Sequence, residues 1–284
     1  MPDIEKLNYQ IKNGIGEEID VDCRFQDTPV AKPIVIFCHG FKGFKDWGGF
    51  PHMMQMLAEA GFFAVSFNFS LNGVSKENPT EFTLLDNFAA NTFSRELDDL
   101  GIVVNHIFEK APEFNADNKR IGLIGHSRGG GIAILYTASD PRIRALAALA
   151  SVSDFDRYGK ELKKKWKEKG YLEVENTRTG QMMRLNITLL EDIEKNINRL
   201  DIKKAIAEIN EPVLIVHGKE DLSVKYTEAV DLLESSDKLH TELLLVDNTG
   251  HTFGVVHPFK GTTGPFEAVI DRIIKFFKLN LRSI

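Results

Sequence analysis

The sequence has little cysteine, no long apolar run and no excess of positive charge. Its 284 residues include two cysteines, Cys23 and Cys38, which do not form a metal-ligand spacing. Cys38 ends a predicted buried strand, so we expect reduced core thiols, with a disulfide as the open alternative. No uninterrupted apolar run is long enough to cross a bilayer, so no membrane span is predicted.

The net charge and the N-terminal residues exclude further classes of function. The formal net charge is −6, which argues against a general surface for nucleic acid or anionic membrane. Residues 1–10 are polar and lack the apolar segment of a signal peptide, so a cytoplasmic protein is predicted. The sequence contains no visible cluster of metal or cofactor ligands, and we expect neither a metal nor an organic cofactor.

Apolar runs alternate with segments of helical periodicity along most of the chain. Buried strands are predicted at 33–38, 62–69, 120–124, 145–149 and 212–216, a further strand at 241–246, and helices at 50–60, 94–110, 224–235 and 267–277. The run at 145–149 is rich in alanine and also compatible with a helix, and Ser94 is the expected helix cap. Asn13-Gly14 predicts a hairpin turn. The expected fold class is α/β, with a doubly wound, mostly parallel sheet.

The pattern changes between 153 and 210. Residues 160–169 are strongly charged and end at Gly170, and 189–209 has helical spacing. We interpret 153–210 as an inserted, mainly helical lid, and 1–152 together with 211–284 as the core. The lysines of the charged run are interpreted as a solvated helix face rather than a phosphate or nucleic-acid site.

The central motif is G-x-S-x-G, with Ser127 between Gly125 and Gly129. An apolar strand precedes it and a helical segment follows, which is the context of a nucleophile elbow. The glycines are needed because the turn is strained and neighbouring backbone comes too close for a Cβ. The helix N-terminus would direct N–H groups toward a developing oxyanion. The competing interpretation is a glycine-rich turn with an incidental serine.

A serine hydroxyl needs an adjacent base, and the base needs a third group that orients it. On this sheet the acid and then the histidine should follow later strands, and Asp221 and His251 do so in that order. Glu220 is the alternative acid, and His257 is the alternative base. Asp221 is favoured because it stands just before the next helix, and His251 because it directly follows Gly250.

An oxyanion hole requires two N–H donors. The backbone of Arg128, just after the serine, is one candidate, and the backbone of Phe41, on the loop after the strand at 33–38, is the other. His39, His126 and His217 are interpreted as packed or hydrogen-bonded structural residues. Phenylalanines near this predicted mouth would suit an apolar substrate or a bulky core equally: Phe41, Phe44, Phe50, Phe67 and Phe69.

Together these motifs resemble the α/β-hydrolase superfamily. The sequence Gly125-His126-Ser127-Arg128-Gly129, with a single His39-Gly40 oxyanion loop, is similar to the dienelactone-hydrolase-like and feruloyl (cinnamoyl) esterase-like branches. The nucleophile here is serine, whereas dienelactone hydrolases proper typically use cysteine. The resemblance implies a serine carboxylesterase that cleaves small-molecule esters of small to medium or aromatic acyl groups through an acyl-enzyme on Ser127.

Two other functions stay open at the level of sequence. A peptidase or acyl-aminoacyl hydrolase could use the same triad, although no N-terminal propeller like that of the prolyl-peptidase relatives is visible. A catalytically silent hydrolase fold that binds a ligand or partner is the third candidate. A homodimer is also an open alternative, and no nucleic-acid or membrane partner is expected.

Overall fold

The computed structural model describes residues 3–14 and 16–282. Ten strands lie within these residues: β1 Ile4–Lys12, β2 Glu18–Gln26, β3 Lys32–Cys38, β4 Phe63–Phe67, β5 Ala116–His126, β6 Ile143–Leu149, β7 Tyr171–Asn176, β8 Gln181–Asn186, β9 Val213–Gly218 and β10 Thr241–Val246. The same residues form nine α-helices: α1 Phe50–Glu59, α2 Leu85–Ala90, α3 Phe93–Lys110, α4 Arg128–Ser139, α5 Lys160–Lys169, α6 Ile187–Lys195, α7 Ile202–Glu208, α8 Thr227–Ser235 and α9 Gly264–Asn280.

Eight strands form one sheet in the order β1-β2-β4-β3-β5-β6-β9-β10. The strands from β4 to β10 in this order pair in parallel, and the β1–β2 hairpin adds two antiparallel strands at one edge. The expected doubly wound α/β fold is therefore confirmed, and the alanine-rich run is a strand. Because the carboxyl ends of parallel strands share one edge, the loops after β3, β5, β9 and β10 meet there.

Two apolar clusters cover the two faces of the sheet. One contains the buried faces of α1 and α9, and the other contains those of α3, α4 and α8 together with apolar residues from 153–210. Strands buried on both faces need apolar residues at nearly every position, which is why β3 and β9 are continuous apolar runs. Cys23 and Cys38 are buried free thiols within this core, as expected.

The segment 153–210 connects β6 to β9, which are neighbours in the sheet. It contains α5, α6 and α7, together with the antiparallel hairpin β7–β8, which the sequence pattern did not predict. The helical spacing over 189–209 corresponds to two helices, because the chain leaves α6 at Asn196 and Asp201 caps a new helix by accepting from Lys204 N. The role of this segment as a lid stays a prediction.

The beginning of α3 also differs from expectation. The cap is Thr92 rather than Ser94: the Thr92 Oγ1 accepts a hydrogen bond from the Arg95 backbone, while Ser94 already lies inside the first turn. The helix expected from 224 begins at Thr227. Within residues 3–14 and 16–282, no helix combines the length and apolarity needed to cross a membrane.

Candidate active site

Ser127 lies at the tight turn between β5 and α4. Its backbone has φ 57° and ψ −120°, a strained combination for a residue with a side chain. A Cβ on Gly125 would lie 2.3 Å from the carbonyl oxygen of Gly129, and one on Gly129 would lie 2.4 Å from that of His39. The two glycines are therefore required by close backbone approach. The turn places the serine at the carboxyl edge of the sheet, where it is buried from bulk solvent.

Asp221 and His251 come from different loops and meet at this edge. The Asp221 Oδ2 lies 2.7 Å from His251 Nδ1. The carboxylate is fully buried, whereas the imidazole is 22 % exposed. The buried carboxylate thus fixes the Nδ1 side of the His251 ring, and the Nε2 side is left available to the cavity.

The Asp221 carboxylate is saturated with hydrogen bonds. Its Oδ1 accepts from the backbone N–H groups of Ser223 and Val224, at 2.8 and 2.9 Å. His217 Nε2 lies 3.2 Å from Oδ2, beside the His251 contact. Burial alone would raise the pKa of Asp221, but the bonds from His217, His251 and Val224 hold that pKa well below its usual range. The acid is therefore ionised at neutral pH.

Of the two candidate acids and the two candidate bases, the structure brings one acid and one base into contact. Glu220 is exposed, while its neighbour Asp221 points inward to His251. His257 accepts a hydrogen bond from the backbone of Gly48 at 2.9 Å, and it lines neither of the two cavities beside Ser127. The geometry therefore favours Asp221 over Glu220 and His251 over His257.

Ser127 and His251 line both cavities at the elbow. Among the described residues, no hydrogen bond joins the Ser127 hydroxyl to the His251 ring. Such contacts often tighten only in the substrate complex. The two side chains are therefore gathered in one place, and the His251 ring is held by Asp221.

The loop after β3 approaches Ser127 closely from the other side. A Cβ on Gly40 would lie 2.9 Å from the Ser127 Cβ, so Phe41 follows directly at the elbow. In the described part of the chain the Phe41 N–H has no hydrogen-bond acceptor. Arg128 is the first residue of α4, where backbone N–H groups lack helical acceptors. Both expected oxyanion donors therefore lie beside the serine.

Two other histidines near the elbow are held by backbone groups. His39 accepts from Phe69 N through Nε2 at 3.3 Å, and its Nδ1 donates to the Gly40 carbonyl at 3.0 Å. His126 Nε2 donates to the His251 carbonyl at 2.9 Å. Burial lowers the pKa of His39 to about 4 and that of His126 to about 3. Both rings are therefore neutral structural groups.

Two cavities flank the serine. The larger has a volume of about 300 Å³ and the smaller about 110 Å³. The aromatic residues of the larger cavity are Phe41, Phe93, Phe155 and Tyr158, and its cationic residues are Lys42, Arg128 and Arg157, with no carboxylate in the lining. Trp47 and Phe50 line the smaller one. Of the phenylalanines expected at a mouth, Phe44, Phe67 and Phe69 belong to the core instead.

The Arg128 side chain has a role that the sequence did not indicate. Its guanidinium lies between the rings of Phe41 and Phe93, 4.4 and 4.7 Å from their centroids. Its Nη1 donates to Glu96 Oε1 at 3.1 Å, and both side chains are buried. The cavity wall is therefore a rigid stack of two rings around a paired cation.

Within residues 3–14 and 16–282, no three histidine, cysteine or acidic side chains are grouped so that they could hold a metal ion. The site described above is thus a serine, an imidazole and a carboxylate beside free backbone donors. This set can perform nucleophilic attack with proton transfer, provided that a carbonyl compound enters the cavity.

Comparison with known proteins identifies the family. The sequence profile of the α/β-hydrolase fold matches residues 33–192. The chain belongs to the α/β-hydrolase family. The family resemblance inferred from the elbow is thereby confirmed.

The chain is also similar to solved structures over nearly its whole length. It superposes on Est1E from Butyrivibrio proteoclasticus, solved with bound ferulic acid, with a TM-score of 0.73 at 18% identity, covering 96% of this chain and 98% of that one. An esterase from Pyrococcus furiosus gives a TM-score of 0.65 at 19% identity over 98% and 92% of the two chains. At these identities the likeness establishes the α/β-hydrolase fold alone.

The match to curated relatives covers a smaller part of the chain. An uncharacterised 31.7 kDa protein of Escherichia coli, from the traX–finO intergenic region, is 26% identical over 142 residues. The match covers 50% of this chain, and this chain spans 45% of that protein. The chain therefore spans about half the length of the curated relatives that it matches.

Proposed function

We propose that this α/β-hydrolase is a serine carboxylesterase that cleaves small-molecule esters through an acyl-enzyme on Ser127. The observation that carries the proposal is the buried Asp221 carboxylate, 2.7 Å from His251 Nδ1, on a histidine that shares both cavities with Ser127. Nucleophile, base and orienting acid are the three groups that acyl transfer to serine needs.

The first half of the reaction forms the acyl-enzyme. Ser127 Oγ attacks the ester carbon while His251 Nε2 takes the hydroxyl proton. Negative charge develops on the former carbonyl oxygen, and the backbone N–H groups of Phe41 and Arg128 donate to it. The tetrahedral intermediate collapses, the alcohol leaves with the proton from His251, and the acyl group stays on the serine.

The second half releases the acid. Water enters in place of the alcohol, gives a proton to His251 and attacks the acyl carbon. The new intermediate collapses, and Ser127 recovers its proton. Asp221 stays ionised throughout; it fixes the Nδ1–H tautomer and stabilises the imidazolium that forms in each half.

The cavities support esters of aromatic or oxygen-bearing acyl groups. The larger one combines aromatic walls with three cationic side chains and no acidic one, which suits a flat ring with acceptor oxygens. The fold neighbour Est1E was solved with ferulic acid, a compound of this kind. The smaller cavity, of about 110 Å³, would accept a short group on the other side of the ester.

We further propose that 153–210 acts as a lid over the core formed by 1–152 and 211–284. The segment supplies Phe155, Arg157 and Tyr158 to the larger cavity. The Lys42 Nζ donates to the Glu175 carbonyl at 2.8 Å, which joins the oxyanion loop to the hairpin β7–β8. A lid in this position would set substrate size and exclude water from the acyl-enzyme.

Turnover of p-nitrophenyl acetate and butyrate by the wild type and by Ser127→Ala tests the proposal. We expect an initial burst of p-nitrophenol and steady turnover in the wild type, and loss of both in the variant. Equal turnover by the two proteins would overturn the assignment. A dipeptide amide of matching size distinguishes esterase from peptidase activity, and feruloyl esters test the aromatic preference.

A further inference from the structure

The Asp221 carboxylate faces two imidazoles, although the reaction requires only one. Its Oδ2 lies 2.7 Å from His251 Nδ1 and 3.2 Å from His217 Nε2. His217 lies at the end of β9 and is completely buried. It lines neither cavity, so it does not touch the substrate. Any influence on the reaction must therefore pass through its two polar neighbours, the Asp221 carboxylate and the Val224 backbone.

The hydrogen-bond partners assign the tautomer of His217. Its Nε2 also lies 2.9 Å from the carbonyl oxygen of Val224. Both neighbours of this nitrogen are acceptors, so Nε2 must carry the hydrogen, which is bonded to the Val224 carbonyl and lies beside the carboxylate. The ring therefore presents an N–H donor to the same oxygen that receives the bond from His251.

The other ring nitrogen indicates why an imidazole is found here. Within the described residues, His217 Nδ1 is buried with no hydrogen-bond partner. A buried polar atom without a partner costs free energy, and an apolar side chain would avoid that cost. What an apolar side chain could not provide is the Nε2–H. The site thus keeps a partly unsatisfied ring for a donor that serves the Val224 carbonyl and lies beside Asp221 Oδ2.

We propose that His217 is a positioning residue, which holds the Asp221 Oδ2 in line with His251 and disperses part of its negative charge. This inference rests on the proposed esterase function. The local backbone supports the arrangement: a Cβ on Gly218 would lie 2.4 Å from the Thr249 carbonyl oxygen, so the turn after β9 packs directly on the loop that carries His251.

The pH dependence provides the expected signature. Without the His217 donor, Asp221 would attract a proton on His251 more strongly, so the acid limb of kcat/KM would move to higher pH. The Oδ2 would also lose one of its two imidazole neighbours, and we expect kcat to fall about tenfold, the lower end of the range for outer partners of metal-ligating side chains. KM should stay near the wild-type value because His217 lines neither cavity.

Other charged groups around the pair would be unchanged by a substitution of His217. The cations that line the larger cavity with His251 are Lys42, Arg128 and Arg157. Arg128 is paired with Glu96, and Arg157 is paired with Glu228. His126 is bonded to the His251 carbonyl, and Glu220 is exposed on the turn. A shift of the acid limb would therefore report on the contact between His217 and Asp221.

His217→Gln and His217→Met form a matched pair of variants. The two side chains have similar length and shape, but only glutamine keeps an N–H donor. We expect His217→Gln to retain the wild-type acid limb and most of kcat, and His217→Met to show the tenfold loss with the limb about half a pH unit higher. Equal kcat and equal acid limbs in the two variants would overturn the proposal.

A measurement independent of activity separates this inference from the proposed function. In protein labelled with 15N at its imidazoles, NMR should detect the His217 Nε2–H as a slowly exchanging hydrogen. Its resonance should move in Asp221→Asn, and an unmoved resonance would overturn the inference even if the protein were no esterase. If the wild type hydrolyses no ester but the resonance moves, the proposed function fails and the contact stands. The NMR measurement also tests the inference if His217→Met does not fold.

Discussion

Replacing Asp221 with asparagine would change one atom in the most constrained part of the site. The Oδ1 is fixed by the backbone N–H groups of Ser223 and Val224, so the side chain would keep its orientation. The new amide nitrogen would then face His251 Nδ1 and His217 Nε2, which both present hydrogens to this position. Two donor–donor contacts would replace one hydrogen bond and one close contact with a carboxylate oxygen.

His251 can escape the clash by moving its hydrogen to Nε2, and it then cannot accept the serine proton. The same exchange in a serine protease costs about 10⁴ in kcat, which corresponds to about 5.5 kcal/mol of transition-state stabilisation. We expect a loss of this size at pH 7 with p-nitrophenyl butyrate, with KM changed little. The fold should survive, because the exchange preserves shape.

The neighbouring Glu220→Gln is the matched control. Glu220 is exposed and contributes nothing to the His251 contact, so its substitution should leave kcat within about twofold of the wild type. A kcat of Asp221→Asn within tenfold of the wild type would refute the reasoning. A larger loss in Glu220→Gln than in Asp221→Asn would show that the acid has been assigned to the wrong residue.

Two further predictions concern stability. Gly129→Ala would place a Cβ 2.4 and 2.5 Å from the carbonyl oxygens of His39 and Cys38. Urea unfolding should therefore show that the free energy of unfolding falls by about 3 kcal/mol or more. The control is Gly159→Ala, where the Cβ enters open space and stability should change by less than about 0.5 kcal/mol. His39 and His126 have pKa values lowered by burial to about 4 and about 3, so below about pH 6.5 the unfolded chain binds protons that the folded chain refuses. The two histidines should therefore lower the stability by about 4 kcal/mol between pH 7 and pH 5, and Asp99, whose pKa burial raises to about 6, should offset about 1 kcal/mol of that loss. Equal unfolding free energies at the two values would contradict the buried neutral histidines.

The sequence predicts the fold well where its residues leave few conformations open. Strands covered on both faces must be largely apolar, so β3, β4, β9 and the second half of β5 are visible as apolar runs. The elbow is visible because no side chain fits at Gly125 or Gly129. The positions of Asp221 and His251 then follow from the order in which parallel strands end at one edge.

The sequence predicts less where a choice depends on neighbours in space. Thr92 and Ser94 are both good helix caps, and the contact of the Ser94 backbone with Asp192 on 153–210 lies beyond any local pattern. The segment between α6 and α7 contains no proline or glycine, and apolar residues continue at helical spacing across it. The sequence pattern therefore does not show where the first helix ends.

Side-chain roles within the site were the hardest to foresee. His217 could be expected at a strand end, but its bond to Asp221 depends on the turn between them, which folds back on itself. The one available signal was the four-residue separation of the two. For Arg128 the sequence indicated a backbone donor, and the packing of its side chain between Phe41 and Phe93 required three distant segments to meet.

The most direct test of the central claim is covalent labelling of Ser127. We expect that an active-site-directed fluorophosphonate adds once to the intact wild-type protein, that peptide mass spectrometry locates the adduct on Ser127, and that Asp221→Asn reacts far more slowly. Ser127→Ala should acquire no label under the same conditions. A folded wild-type protein that stays unlabelled, or that carries the label on another residue, would contradict the claim.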